Sequence, residues 1–212
     1  MTGSRLQTLY DIVARANLDA VALIPGPNLY YVTRTDFHLM ERPLVAFFVP
    51  GRDPVAVAPA LEADRLAESG VPFKLFPWSD SEGYSGAFAA AASELKLDGK
   101  RVGVEELRMR VLEADVIQKL MPGIRLVHGG EALAELRLRK DADAIAAMRE
   151  AVAISEKALH ACLAAIRPGM TEREIASRLV IEQLERGGGK HPFEPIVLAG
   201  PRSALPHGEP GE

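Results

Sequence analysis

The stretch Pro206-His207-Gly208-Glu209 sets an imidazole and a carboxylate two residues apart in a polar loop. An imidazole changes charge near neutral pH and can both donate and accept a hydrogen bond. His207 is therefore a candidate for chemistry, against the plainer reading of an exposed loop histidine. His207 and Glu209 together suggest a metal pair, but a stable site needs three or four convergent ligands and the loop supplies two. Other chemistry-bearing residues have plainer readings. His38-Leu39-Met40-Glu41 fails the H-E-x-x-H pattern because the glutamate is misplaced, and a loop or subunit contact fits it better. Gly187–Gly189 follows no strand and precedes no G-K-[ST], so it is not a phosphate loop. Cys162 falls at a partly buried helical phase and reads as packing. Glu105, directly after a strand, reads as a helix cap. Arg137, Arg139 and Lys140 read as a solvated hinge, His128 as linker, His160 as the polar side of a helix and His191 as an element boundary.

Composition narrows the class. The chain has 212 residues, 48% apolar and 25% charged, with a net charge of −4 and both signs spread along it. No clustered basic face marks a nucleic-acid footprint. The start, MTGSRLQTLYDIVAR, lacks the basic and apolar regions of a secretory signal. No apolar run approaches the ~18 residues of a membrane span. A single cysteine, Cys162, makes neither an internal disulfide nor a thiolate cage. The expectation is a protein of the reducing cytoplasm.

The elements that must position these residues follow from periodicity. Residues 4–17 carry Leu6, Leu9, Ile12 or Val13, and Ala16 at helical spacing. Strands are expected at Ala20–Ile24, Leu44–Val49, Pro54–Ala58, Phe73–Phe76, Arg101–Val104 and Ile124–Val127, with Asn28–Val32 a further extended piece. Pro50-Gly51-Arg52-Asp53 is a hairpin signal. Helices are expected at Leu61–Glu68, Ala87–Leu97 and Val111–Leu120. Strands alternating with helices imply an α/β domain with a mixed sheet.

From Lys140 to Ile166 the pattern becomes one long helix. Its apolar stripe is Ile145, Met148, Val152, Leu159, Leu163 and Ile166. Asp141 is placed to cap its first amides, and Asp143 suits the positive end of the dipole. Thr171-Glu172-Arg173-Glu174 reads as a capping box, with Met170 and Ile175 spaced for a hydrophobic staple. The helix it opens turns Ile175, Leu179 and Leu184 inward and ends at Gly187–Gly189. A strand is expected at Ile196–Ala199. The domain expectation is 1–130 as a first domain, 131–140 as linker and 141–212 as the start of a second. Two helices with apolar stripes and one strand need a partner layer that roughly 70 residues cannot build, so the chain is expected to be incomplete.

Three segments in order, LRLRKDADAIAAMREAVAISEKAL, IRPGMTEREIASRL and FEPIVLAGPRSALPHGEP, resemble the Xaa-Pro aminopeptidase and prolidase branch of the pita-bread metallopeptidases, with creatinase as a relative. Upstream, NLYYVT and VAFFVPGRDPVAVAP resemble the creatinase-type N-terminal domain. One departure is Ala142-Asp143-Ala144, where many relatives have Pro-Ala-Glu. The resemblance implies a creatinase-type mixed-sheet domain, followed by an incomplete α+β pita-bread domain. It implies hydrolysis of the peptide bond before proline by two divalent ions, manganese or cobalt. Their ligands in the family, two aspartates, a histidine and two glutamates, follow the segment matching Pro206-His207. No metal ligand and no activity are thus expected within this chain alone. His207 matches a histidine that binds substrate beside the metals, and Phe193 could line the pocket, though core packing fits it equally. Short proline-containing peptides and a second copy of the chain are the implied partners, without nucleic acid or membrane. A non-catalytic peptide-binding scaffold and a creatinase-like amidinohydrolase are the alternatives.

Overall fold

The computed structural model describes residues 2–190 and 193–212. Two compact units emerge, Met1–Arg139 and Lys140–Glu212. The first is built on six strands: β1 Ala20–Leu23, β2 Val45–Phe48, β3 Val55–Pro59, β4 Lys74–Trp78, β5 Arg101–Val104 and β6 Arg125–His128. Their spatial order is β4-β3-β2-β1-β5-β6. β1 pairs antiparallel with β2 and β2 with β3, while β1–β5, β3–β4 and β5–β6 are parallel. The sheet is mixed, as the alternating elements predict.

Helices cover both faces. On one side α1 (Thr2–Arg15), α2 (Pro27–Thr33), α3 (Ala60–Ala67) and α6 (Gly130–Leu138) bring Leu9, Leu29, Leu66 and Leu133 onto Val21, Leu23 and Phe48. On the other, α4 (Ser85–Leu95) and α5 (Val111–Leu120) bring Phe88 and Ile117 onto Ala22, Ile24 and Phe47. Successive strand residues point to opposite faces, so a sheet covered twice needs continuous apolar runs rather than alternating ones. AVAL and VAFF are such runs, and every residue in both is buried.

Asn28–Val32 is not extended but lies in α2. Pro27 occupies the first helical turn, where a missing N–H costs nothing. Leu29 and Val32, three apart, then share the buried face. The helix stops at Arg34, whose φ of 57° is left-handed and whose N–H bonds Tyr30 O at 2.7 Å.

The linker expected at 131–140 is largely the helix α6, with Leu133 and Leu136 in the first unit's core. Gly129 and Gly130 mark close packing. A Cβ on Gly129 would lie 3.0 Å from Val104 N, and one on Gly130 2.5 Å from Glu106 Oε1. Glu106 instead accepts from Gly130 N at 3.0 Å, a carboxylate at the positive end of α6. Arg137, expected in a solvated hinge, donates from Nε to Asn28 Oδ1 at 2.7 Å.

Glu105 does not cap a helix through its side chain. Its Oε1 accepts from Asn28 Nδ2 at 2.8 Å, while Oε2 is buried without a partner. Burial pushes its carboxyl pKa up, opposed by the Asn28 hydrogen bond and the nearby Arg108 and Arg137. Glu113 is the opposite case: fully buried, it takes both carboxylate oxygens to Arg110 Nε at 3.0 Å. Arg110 also donates to Met40 O, tying α5 to the 34–43 loop.

In the second unit α7 spans Ala142–Ala165 and α8 Glu172–Glu185. Asp141 Oδ1 caps α7 by accepting from Ala144 N at 2.7 Å. The capping box of α8 is formed, with Glu174 N to Thr171 Oγ1 at 3.2 Å and Thr171 N to Glu174 Oε2 at 2.9 Å. The two helices pack through small buried residues, Ala158 and Cys162 on α7 and Ala176 on α8. Cys162 is buried more fully than its phase predicts, and its Sγ lies 3.6 Å from Ile175 O. The longer apolar stripe, Ile145, Met148, Val152, Leu159, Leu163 and Ile166, is exposed. Leu184 is also exposed, and α8 buries Glu182 between Arg178 and Arg186 instead. The strand expected at Ile196–Ala199 is absent: these residues form no ladder among the described residues. A strand exists only by pairing, and an apolar run alone does not supply the neighbour.

Two outcomes follow for stability. Arg110→Ala leaves Glu113 buried and unpaired and lowers unfolding free energy by about 3 kcal/mol in denaturant titration; Arg110→Met with Glu113→Leu recovers most of it. Glu105 has a folded pKa raised above its unfolded value, so its contribution is fullest in acid. That contribution is lost as pH rises from about 4.3 through the folded value. The stability of Glu105→Gln relative to wild type therefore climbs with pH over that window; a pH-independent difference would contradict this.

Candidate functional site

Residues 193–212 fold back onto the start of α8. Ala199 N donates to Glu172 Oε1 at 2.6 Å and Gly211 N to Glu172 Oε2 at 2.8 Å. Arg202 Nε adds a third bond, to Glu172 Oε2 at 3.1 Å. Gly211 O returns the exchange by accepting from Arg173 N at 3.0 Å, satisfying one of the amides a helix start leaves open. Three donors on one carboxylate favour its charged form. The Gly211 and Ala199 amides, then Arg202, hold the Glu172 pKa below the usual glutamate range.

Between those anchors the chain forms a 3-10 turn, Gly200–Ala204, then a tight turn. Gly200 has φ 57°, and Ser203 Oγ bonds Gly200 O at 2.7 Å. Leu205-Pro206-His207-Gly208 closes with Gly208 N to Leu205 O at 3.4 Å. Proline at the second position and a positive φ at the third is the pattern of a type II turn. The third position is His207, with φ 58°. Glycine occupies such a position without steric cost, whereas a Cβ there costs about 1 kcal/mol or more. The turn thus carries an imidazole where backbone sterics favour none. Leu205, Pro206 and His207 are exposed, and the His207 ring has no hydrogen-bond partner among the described residues. The ring is free to meet a ligand.

Phe193 is on the same segment and 74% exposed, so it does not pack in a core. Among the described residues no bond or ring contact joins it to His207. Glu209 uses its main-chain oxygen, which accepts from Arg202 Nη2 at 2.6 Å. Elsewhere, His128 ends β6 and His160 lies exposed on α7. His38 is in the first unit's 34–43 loop, and His191 lies outside the described residues. The residue missed as an organiser of this segment is Glu172. No local pattern announces it: beside the capping box of Thr171 and Glu174, a second acid in the first turn suits the helix dipole.

The donor set does not fit a pair of divalent ions. Such ions take several convergent carboxylate and imidazole ligands. Among the described residues no group of three or more His, Cys, Asp or Glu side chains is arranged to hold one. No step through a metal is assigned to these residues.

Comparisons with known proteins agree on the class. Residues 5–139 match the Creatinase/Prolidase N-terminal domain and residues 146–212 the metallopeptidase family M24. The chain belongs to this creatinase/prolidase family, whose M24 members are metal-dependent. Among its relatives is the Xaa-Pro dipeptidase of Pyrococcus horikoshii, 25% identical over 207 residues, covering 96% of this chain and 54% of that protein. The prolidase of Thermococcus sibiricus superposes with a TM-score of 0.89 at 27% identity, covering 100% of this chain and 57% of the other. A second structure, the dipeptidase of Pyrococcus horikoshii, gives 0.85 at 29% identity, with 98% and 57% covered. The chain spans little more than half the length of these relatives and corresponds to their N-terminal portion.

The left-handed turn makes its own prediction. His207→Gly relieves the Cβ penalty, worth about 1 kcal/mol, and slows amide exchange at Gly208 by about fivefold. Faster exchange would show that the imidazole, rather than the anchors, holds the turn.

Proposed function

We propose that these residues carry the N-terminal domain and the substrate-facing opening of a metal-dependent peptidase that cleaves the bond preceding proline. The observation that carries it is His207, displayed on an anchored, left-handed turn inside the segment that matches the M24 metallopeptidases. The ring presents a donor and an acceptor to solvent, suited to a hydrogen bond with a peptide amide or carbonyl near the bond to be cut. A neutral imidazole can take either tautomer, so it serves the substrate before and after cleavage. Phe193, with its exposed ring, is proposed as an apolar wall for the proline side chain.

Two divalent ions, manganese or cobalt, are proposed to be held by polypeptide other than these residues; bound there, they supply Lewis-acid and water-activating chemistry. Short proline-containing peptides are the proposed substrates, and a second copy of the chain the proposed partner. No helix among the described residues is long and apolar enough to cross a membrane. The cytoplasm is the proposed setting, in keeping with the single, unbonded Cys162.

The coding sequence after Glu212 and the gene product's activity test the reading together. Two aspartates, a histidine and two glutamates are expected downstream. The product is expected to hydrolyse Gly-Pro or longer Xaa-Pro peptides with added manganese and to lose that activity to a chelator. His207→Ala lowers kcat by about 100-fold, the range of a lost acid-base or hydrogen-bonding group. The 212-residue chain alone, with manganese, is expected to turn over nothing. A metal-loaded gene product that binds such peptides without cleaving them overturns the peptidase reading in favour of a scaffold. Chelator-sensitive turnover by the 212 residues alone overturns the assignment of the ligands elsewhere.

A further inference from the structure

We propose that Glu172 is a positioning residue for His207, and that it acts as a carboxylate clamp closing the two ends of the loop that displays the imidazole. This deepens the peptidase reading and rests on it for its functional meaning.

The geometry separates Glu172 from an ordinary first-turn acid. Helix α8 already has its cap: Thr171 serves the Glu174 amide and Glu174 serves the Thr171 amide. Glu172 turns instead to residues far along the chain, and its two oxygens divide the work. Oε1 takes the Ala199 amide, on the entering side of the loop. Oε2 takes the Gly211 amide, on the leaving side, and the Arg202 guanidinium from within. Arg202 then reaches across the loop to Glu209 O at 2.6 Å, two residues beyond His207. One side chain thus fixes the entry, the interior and the exit of the segment.

The clamp needs a carboxylate and not merely an acceptor. Bonds from amide and guanidinium donors to an ionised oxygen are about twice as strong as neutral ones. Glutamine offers one oxygen and one amide nitrogen, so a donor would face either the Ala199 amide or both the Gly211 amide and the Arg202 guanidinium. Aspartate keeps the charge but is one methylene shorter. The left-handed φ of His207 is costly in isolation, and such a conformation persists where the surroundings over-determine it. Here those surroundings are the anchors on Glu172, because the ring itself makes no bond among the described residues.

The linkage has a definite sign. Glu172 has a folded pKa below its unfolded value, so the clamp is complete above the ordinary glutamate pKa. It opens as pH falls through the depressed one. Titratable and charged groups facing it are Arg202 from the loop, with Arg173, Glu174 and Glu212 close by on the packed segments.

The test is amide NMR on the 212-residue chain. In wild type the Ala199 and Gly211 amide protons are expected to exchange slowly and to shift together with the Glu172 carboxyl. Their shared midpoint should lie below the usual glutamate range. His207 is expected to show the strong intraresidue HN–Hα contact of a positive φ. In Glu172→Gln the two anchor amides exchange at least tenfold faster. The His207 signature is lost, and the remaining loop signals no longer respond to pH in that window, while the Glu174 amide keeps its protection. Glu172→Asp recovers the pH response only in part. Two results overturn the proposal: a His207 signature unchanged in Glu172→Gln, or a loss of protection that spreads through α8 and so marks a helix role. The two readings fail separately, because a metal-loaded gene product that binds Xaa-Pro peptides without cleaving them removes the peptidase reading and leaves these spectra of the 212-residue chain as they are.

Discussion

A sheet covered on both faces is the constraint from which the first unit follows. Each of its central strands must be apolar at every position, and its helices must divide between the two sides. Phe47 and Phe48 are neighbours in sequence, yet they belong to opposite layers of the core. The polar residues admitted to this interior come with partners: Asn28 stands between Glu105 and Arg137, and Glu113 is held by Arg110. Glu105 Oε2 is the exception, and burial is the main cause that raises the carboxyl's pKa. Such a unit owes its order to long-range packing.

The second unit is organised by different forces. Helices α7 and α8 touch through Ala158, Cys162 and Ala176, which bury little area, while the larger side chains of α7 are exposed. A 24-residue helix is about 36 Å long, so most of its length has no apolar cover within its own unit. What order it has is local and polar. Asp141 and the capping box fix the helix starts, and Glu172 gathers the terminal segment. Local hydrogen bonds and caps are worth about 1 kcal/mol each, far less than a shared core. The display of His207 therefore depends on charge and geometry more than on packing.

The sequence was most legible where a single physical rule decides the outcome. Thr171 and Glu174 form the box their spacing announces, and Asp141 caps as placed. The strands around Phe47 and Val102 lie close to where the apolar runs put them. It misled where one pattern serves two structures. Asn28–Val32 is a short apolar run, and Pro27 at a helix start tipped it away from a strand. Residues 131–140 read as a linker, but Gly129 and Gly130 allow a helix there to press against β5. Ile196–Ala199 has the composition of a strand but pairs with no other strand among the described residues. For the site, His207 was visible as a residue, but its left-handed turn was not, because Pro206 suits type I and type II turns alike. The convergence of Ala199, Arg202 and Gly211 on Glu172 was not legible. It joins residues 27 and 39 apart in sequence, which no local pattern encodes.

The central claim is that one unit is held by a doubly buried sheet and the other by caps and a carboxylate. Native-state hydrogen exchange of the 212-residue chain, read amide by amide, tests it most directly. Amides of the strands around Val21, Phe47 and Val102 should open only with global unfolding. Those along α7 should exchange through smaller openings, orders of magnitude faster. Equal protection of α7 and the sheet would contradict the account, since it would require a core that the second unit does not contain among its described residues.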